Sequence, residues 1–159
     1  MIREWAERLA KPTAYNNGVA ACPFALPAIE AGEVKTIFTD DLWGDVLKET
    51  SWFEEGEYKA SLLFDFTYGG SYSELEQHCT LFNDLFTAAG KDLWLLAYLD
   101  REAIVFVQRW SDLENAAAKL EKLGYYKNYG LKEYKRHILG RRQRSIENAG
   151  QEEKFPRPE

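Results

Sequence analysis

Two apolar segments that lie close together in the second half of the chain limit the possible folds more than any other feature. Residues 92–99 read DLWLLAYL and residues 103–110 read AIVFVQRW, and both are rich in aromatic and aliphatic side chains typical of strands. Only Asp100, Arg101 and Glu102 separate them, a connection that predicts an antiparallel hairpin. The chain must therefore build a β-sheet, and its other segments must cover that sheet.

The remaining segments alternate between strand and helix patterns. Strands are predicted over residues 33–39 and 57–66, and the second contains SLLFDF, a nearly continuous apolar run typical of a central strand. Helices are predicted over 2–10, 26–31, 41–50, from Ser71 or Ser73 to about 89, from Ser111 or Asp112 to about 123, and, with basic character, over 131–146. This order predicts a single α+β domain over 1–146. It has an antiparallel or mixed sheet of about four strands with helices packed mainly on one face, and a flexible tail over 147–159.

Composition removes several classes of protein. The chain has 159 residues, 45% hydrophobic and 29% charged, which favours one globular domain over a disordered chain. No apolar run approaches the roughly 18–20 residues that cross a bilayer, and the first residues lack the apolar core of a secretory signal. Two cysteines are too few for a disulfide scaffold. We therefore expect a soluble cytoplasmic protein that has no membrane partner.

The net charge of −6 hides a strong asymmetry. Residues 118–145 carry nine basic and two acidic side chains, a net charge of +7, which leaves −13 for the rest of the chain. Four tyrosines are interleaved with these bases, a pattern that suits stacking and phosphate contacts with single-stranded nucleic acid. Two interpretations follow: the basic segment binds an acidic protein or a nucleic acid, or it docks on the acidic body of its own chain.

Cys22-Pro23 is the most distinctive local motif. Proline holds the preceding residue extended, and the turn residues Asn16, Asn17 and Gly18 fix the loop before it. Helical turns that start near Pro27 can aim backbone N–H groups at the thiol, which would lower its pKa. A thiolate in this position can ligate haem iron or act as a nucleophile. The alternative is a small buried apolar residue without chemistry.

The start of the chain also resembles two protein groups. The residues that carry the resemblance are Trp5, Cys22, Pro23, Phe24, Ala25, Ala28, Gly32 and Val34. They are similar to a small bacterial family of unknown function whose members open with a W…CPFA segment, and to the start of the YqcI/YcgG-like family, which has an early Cys-Pro motif. Some relatives of the second family are haem-dependent enzymes that oxidise nitrogen on guanidino compounds. The resemblance implies Cys22 as the axial thiolate of a bound haem.

Other chemical groups are better explained as structure. His78 and Cys79 are adjacent and point about 100° apart on a helix, so they cannot chelate one ion from the same face. Gly69-Gly70-Ser71 lacks the pattern of a phosphate-binding loop and predicts a turn with a helix cap. Asp65, inside the apolar strand, has three interpretations: a boundary residue, a partner of Arg109 across the sheet, or an acid in a site.

Three functions remain open. The first is a domain that binds a small molecule or haem through Cys22. If haem is bound, Cys22 coordinates its iron. Asn17 would position Cys22, and Arg141 or Arg142 would neutralise the propionates. The second is a non-enzymatic interaction module that uses the basic segment. The third is a thiol-dependent enzyme without a metal, for which the sequence offers no identifiable base.

Overall fold

The computed structural model of the chain describes residues 1–53, 56–134 and 138–143. Its helices are α1 (Ile2–Leu9), α2 (Ala25–Glu30), α3 (Leu42–Trp52), α4 (Tyr72–Ala88), α5 (Trp110–Lys122) and α6 (Leu131–Tyr134), and its strands are β1 (Val34–Thr39), β2 (Ala60–Asp65), β3 (Trp94–Leu99) and β4 (Ala103–Gln108). Residues 138–143 are also helical, whereas the predicted tail 147–159 lies outside the described residues. The element order matches the sequence-based prediction.

The four strands form one mixed sheet in the order β1-β2-β4-β3. β1 and β2 are parallel and are joined through α3, while β4 is antiparallel to both of its neighbours. The predicted hairpin is β3–β4, with Leu99 opposite Ala103. The prediction of a single α+β domain with a four-stranded mixed sheet is confirmed.

Helices cover both faces of this sheet, although the sequence analysis expected them mainly on one. On one face, α3 and α4 pack against Leu63, Val105 and Val107 in the larger core cluster. On the other, α1 and α2 pack against Leu62, Phe64 and Ile104 in a second cluster. The physical reason lies in β2, where consecutive apolar residues point to opposite faces, so that each face needs its own cover.

The predicted helix starts are confirmed only in part: Ser71 caps α4, whereas α5 begins at Trp110, before the predicted Ser111 or Asp112. The sequence spacing predicts a capping box of Ser73 with Glu76, but the capping box of α4 uses Ser71 and Glu74. The Ser71 hydroxyl accepts from the Glu74 N–H at 3.2 Å, and the Glu74 carboxylate accepts from the Ser71 N–H at 2.7 Å. This shows that Gly69-Gly70-Ser71 is a turn with a cap. No helix in the described part of the chain is long and apolar enough to cross a membrane.

Candidate functional site

The loop that carries Cys22 is tied down at both ends. The Cys22 N–H donates to the Leu9 carbonyl at 2.8 Å, which fixes the loop to the end of α1. The predicted reversal is present, because Asn17 and Gly18 have φ values of 57° and 76°. Cys22 is half-buried, and its sulfur accepts hydrogen bonds from the backbone N–H groups of Phe24 and Ala25 at the start of α2.

The thiol nevertheless favours its neutral form. Burial raises the pKa of the Cys22 thiol, and the two N–H donors from Phe24 and Ala25 oppose this effect without cancelling it. The expectation of a lowered pKa for the Cys22 thiol was therefore wrong. The sequence indicated that backbone N–H groups lie near the thiol, but it did not show how far the fold buries that thiol. At neutral pH, Cys22 is therefore a half-buried neutral thiol, and the neutral form disfavours unassisted nucleophilic chemistry.

The segment after α5 packs on this loop. The Tyr125 hydroxyl donates to the Ala21 carbonyl at 2.5 Å, directly before Cys22. The Asn128 amide donates to the Ala14 carbonyl at 2.8 Å. Tyr15 and Tyr129 stack with ring centroids 5.0 Å apart. We call the contact between residues 13–22 and 124–129 the seam; it joins the two parts of the chain that the sequence analysis singled out separately.

The side chain of Asn17 lies beside Gly124, across the seam. A Cβ atom on Gly124 would lie 2.8 Å from Nδ2 of Asn17, and Gly124 also has a φ of +75°. The left-handed backbone favours glycine here, and the Asn17 amide would have to move to admit a Cβ atom. The structure therefore places Asn17 beside the segment that contains Tyr125.

The predicted site residues Arg141 and Arg142 are held by carboxylates of α5. Nη2 of Arg141 lies 3.1 Å from Glu114, and Nε of Arg142 lies 2.8 Å from the other oxygen of Glu114. Arg142 also binds both oxygens of Glu121, at 3.2 and 3.3 Å. Glu114 lies outside the basic segment 118–145, so its contacts dock Arg141 and Arg142 on the rest of the chain, whereas Glu121 belongs to the segment itself.

Electrostatics and ring contacts strengthen this arrangement. The bidentate Arg142 guanidinium lowers the pKa of Glu121, with help from the Tyr134 hydroxyl at 2.6 Å. Arg141 lies with its guanidinium carbon 5.6 Å from the centroid of the Trp110 ring, and burial lowers its pKa. Burial also raises the pKa of the neighbouring Tyr126 to about 12. Arg141 is nearly buried and Arg142 is partly exposed, and both are structural cations paired within the fold.

Two buried polar atoms in this part of the fold lack hydrogen-bond partners among the described residues: the indole Nε1 of Trp5 and the amide Oδ1 of Asn16. Trp5 is only 3% exposed, and its ring lies against Phe64 and Phe106, with centroids 6.1 and 5.6 Å away. Trp5 lies one helical turn before Leu9, whose carbonyl holds Cys22. Unsatisfied buried groups of this kind are rare and often mark a site for water or a ligand.

The other candidates are structural. His78 lies on α4, with Nδ1 2.8 Å from the Glu74 carbonyl and its ring stacked on Trp43 at 4.8 Å. Burial raises the pKa of the Cys79 thiol to about 12. Asp65 is only 5% exposed and accepts from the N–H and the hydroxyl of Thr67, at 2.8 and 2.7 Å. Arg109, its predicted partner, donates instead to the carbonyls of Tyr58 and Gly56. No group of three His, Cys, Asp or Glu side chains suited to a metal occurs among the residues that the structure describes.

Asn83 has a structural role that was not predicted from the sequence. Its side chain is buried and binds both backbone groups of Leu95, donating from Nδ2 at 3.0 Å and accepting at Oδ1 at 2.7 Å. A signal for this role exists: Asn83 stands four residues after Cys79 and eight after Leu75, so it shares their buried face. The helical spacing of apolar residues also predicts Leu85 on the buried face, but Leu85 is exposed.

The chain was compared with family models, curated proteins and solved structures, and none of them matches it.

Proposed function

We propose that this protein is a small-ligand-binding domain whose site lies at the seam, with the sulfur of Cys22 as its ligating group. The observation that carries the proposal is the sulfur's pair of backbone donors, the N–H groups of Phe24 and Ala25. Donors of this kind stabilise negative charge on sulfur, and hydrogen bonds to a ligating sulfur tune a bound metal centre. The indole N–H of Trp5, on the helix whose Leu9 carbonyl binds the Cys22 N–H, also lacks a hydrogen-bond partner among the described residues.

Haem is the ligand to test first, because the resemblance to the YqcI/YcgG-like family at the Cys-Pro motif implies it. The backbone N–H groups of Phe24 and Ala25, which favour negative charge on the sulfur, support Cys22 as the axial ligand. Arg141 and Arg142 do not fit the part of propionate partners, since Glu114 and Glu121 already neutralise them. A haem bound here would therefore need other groups for its propionates, and Arg141 and Arg142 are left out of the proposed site.

The test is a titration of the purified full chain with ferric haem, followed by absorption spectroscopy. The proposal predicts saturable binding and a Soret band that shifts or disappears in Cys22→Ala. The matched control is Cys79→Ala, which removes the second thiol, in the core cluster on the opposite face of the sheet. If haem does not bind, or if both variants bind with the wild-type spectrum, Cys22 is not a haem ligand.

A second candidate is an interaction module for an acidic macromolecule. The observation that favours it is the exposure of Lys127 and Lys132 beside the tyrosines, away from the carboxylates that hold Arg141 and Arg142. Binding to heparin, used as a model polyanion, should weaken steeply with salt and weaken further in Lys127→Ala/Lys132→Ala. The double variant leaves the ion pairs of Arg141 and Arg142 intact. Undiminished heparin binding by this variant would contradict the interaction-module candidate.

A further inference from the structure

The two edges of the sheet differ in whether their outward-pointing backbone groups have hydrogen-bond partners. At the β3 edge, the buried side chain of Asn83 binds both the N–H and the C=O of Leu95. Because Asn83 of α4 binds them, the backbone N–H and C=O of Leu95 point away from β4, and backbone groups alternate in direction from one residue of a strand to the next. Carried through the three registers, this alternation directs the N–H and C=O groups of Val34, Thr36 and Phe38 away from β2. At the β1 edge, no described residue outside the sheet forms a backbone hydrogen bond with these three residues.

Exposed aromatic side chains accompany this open edge. Phe38 is 56% exposed and Phe66, directly after β2, is 51% exposed. Their rings stack with centroids 6.1 Å apart, and Phe38 also lies 5.7 Å from the buried Phe64. An unpaired strand edge beside exposed apolar rings is a template for pairing with another strand.

We propose that the β1 edge pairs with β1 of a second copy of this chain, which joins the two sheets into one. A second copy is favoured because β1 is complementary to itself in antiparallel pairing. When antiparallel pairing is centred on Thr36, it sets Val34 opposite Phe38 of the second copy on one face and Lys35 opposite Ile37 on the other. Val34, Thr36 and Phe38 are the residues whose backbone groups point outward, so each of these pairs exchanges two hydrogen bonds.

Charge does not oppose this contact. Lys35 is the one ionisable side chain in β1, and its ammonium lies 2.8 Å from Glu49 of its own chain. No like charges face each other in the register centred on Thr36. The interface is isologous, as expected for a twofold dimer, and the proposal stands independently of any ligand at Cys22.

The test is sedimentation velocity on the full chain over a range of concentrations. The proposal predicts a monomer–dimer equilibrium that Phe38→Lys weakens at least about tenfold, because the substitution sets a charge against Val34 of the second copy. Thr36→Pro should weaken it similarly, since proline removes an outward N–H and leaves the pairing with β2 intact. Leu85→Lys is the control, because Leu85 is also exposed, at 66%, and lies on α4.

Circular dichroism shows whether each variant is folded. A folded Phe38→Lys protein that dimerises as the wild type does would overturn the proposal. A wild-type protein that stays monomeric at every concentration would overturn it too. Loss of the dimer in Leu85→Lys as well as in Phe38→Lys would assign the contact to a different surface.

Discussion

Glu114 is the residue whose replacement tests the docking of the basic segment most sharply. One of its oxygens accepts from Nε and Nη2 of Arg141, at 3.3 and 3.1 Å, and the other accepts from Nε of Arg142 at 2.8 Å. Arg142 retains Glu121 when Glu114 is changed, whereas Glu114 supplies the carboxylate contact of Arg141. Glu114→Gln keeps the size of the side chain and removes its charge.

The expected cost follows from the burial of Arg141, whose side chain is only 10% exposed. Leaving a fully buried charge without its partner costs about 3–5 kcal/mol, and a glutamine oxygen that still accepts one hydrogen bond recovers part of this. We expect a loss of about 2 kcal/mol in the free energy of unfolding. For a chain of this length, that loss lowers Tm by roughly 4–8 °C.

Urea denaturation measures the free energy, and a thermal melt gives Tm. The matched control is Glu7→Gln, which breaks the exposed pair between Arg3 and Glu7 at 3.0 Å and should change stability by less than about 0.5 kcal/mol. If Glu114→Gln is as stable as this control, Arg141 is not a buried cation that depends on Glu114, and the account of the basic segment fails.

Three further predictions concern the same region. The paired guanidinium lowers the folded pKa of Glu121, so its contribution to stability is complete above the unfolded value of about 4.3 and is lost as the pH falls through the lower folded value. The acid loss of unfolding free energy should be shallower in Glu121→Gln, and an unchanged slope would contradict this. Gly124→Ala should cost more than Gly18→Ala, because both have positive φ but only at Gly124 must a side chain, the Asn17 amide, move to admit the Cβ; equal costs measured by urea denaturation would contradict the Asn17–Gly124 contact. Because burial raises the pKa of Cys22, its alkylation by iodoacetamide near neutral pH should be slower than that of glutathione, and an equal rate would refute this.

Local patterns predicted most of the fold. The hairpin followed from two apolar segments with three residues between them, and helix starts followed from capping residues such as Ser71. The two-sided cover of the sheet was implicit in SLLFDF, whose consecutive apolar residues cannot all face one layer. The parallel pairing of β1 and β2 required the chain's return through α3, which no local pattern specifies.

The candidate site was less predictable, because it depends on contacts between distant parts of the chain. Arg141 and Glu114 are 27 residues apart, so an excess of positive charge in the sequence could not show that the charge was already neutralised. Similarly, Tyr125 and Ala21 are 104 residues apart. The motif located Cys22 and its backbone donors, but the sign of its pKa shift depends on burial that the tertiary structure creates.

The pH dependence of ferric haem affinity tests the role of Cys22 most directly. Coordination by the thiolate requires the raised-pKa thiol to lose its proton. The dissociation constant should therefore fall by about tenfold per unit of pH between about pH 6 and pH 8, as one proton is released for each haem bound. In Cys22→Ala this dependence should disappear while it persists in Cys79→Ala. A wild-type affinity that does not change with pH, or that changes equally in Cys22→Ala, would contradict the assignment of Cys22 as the ligating group.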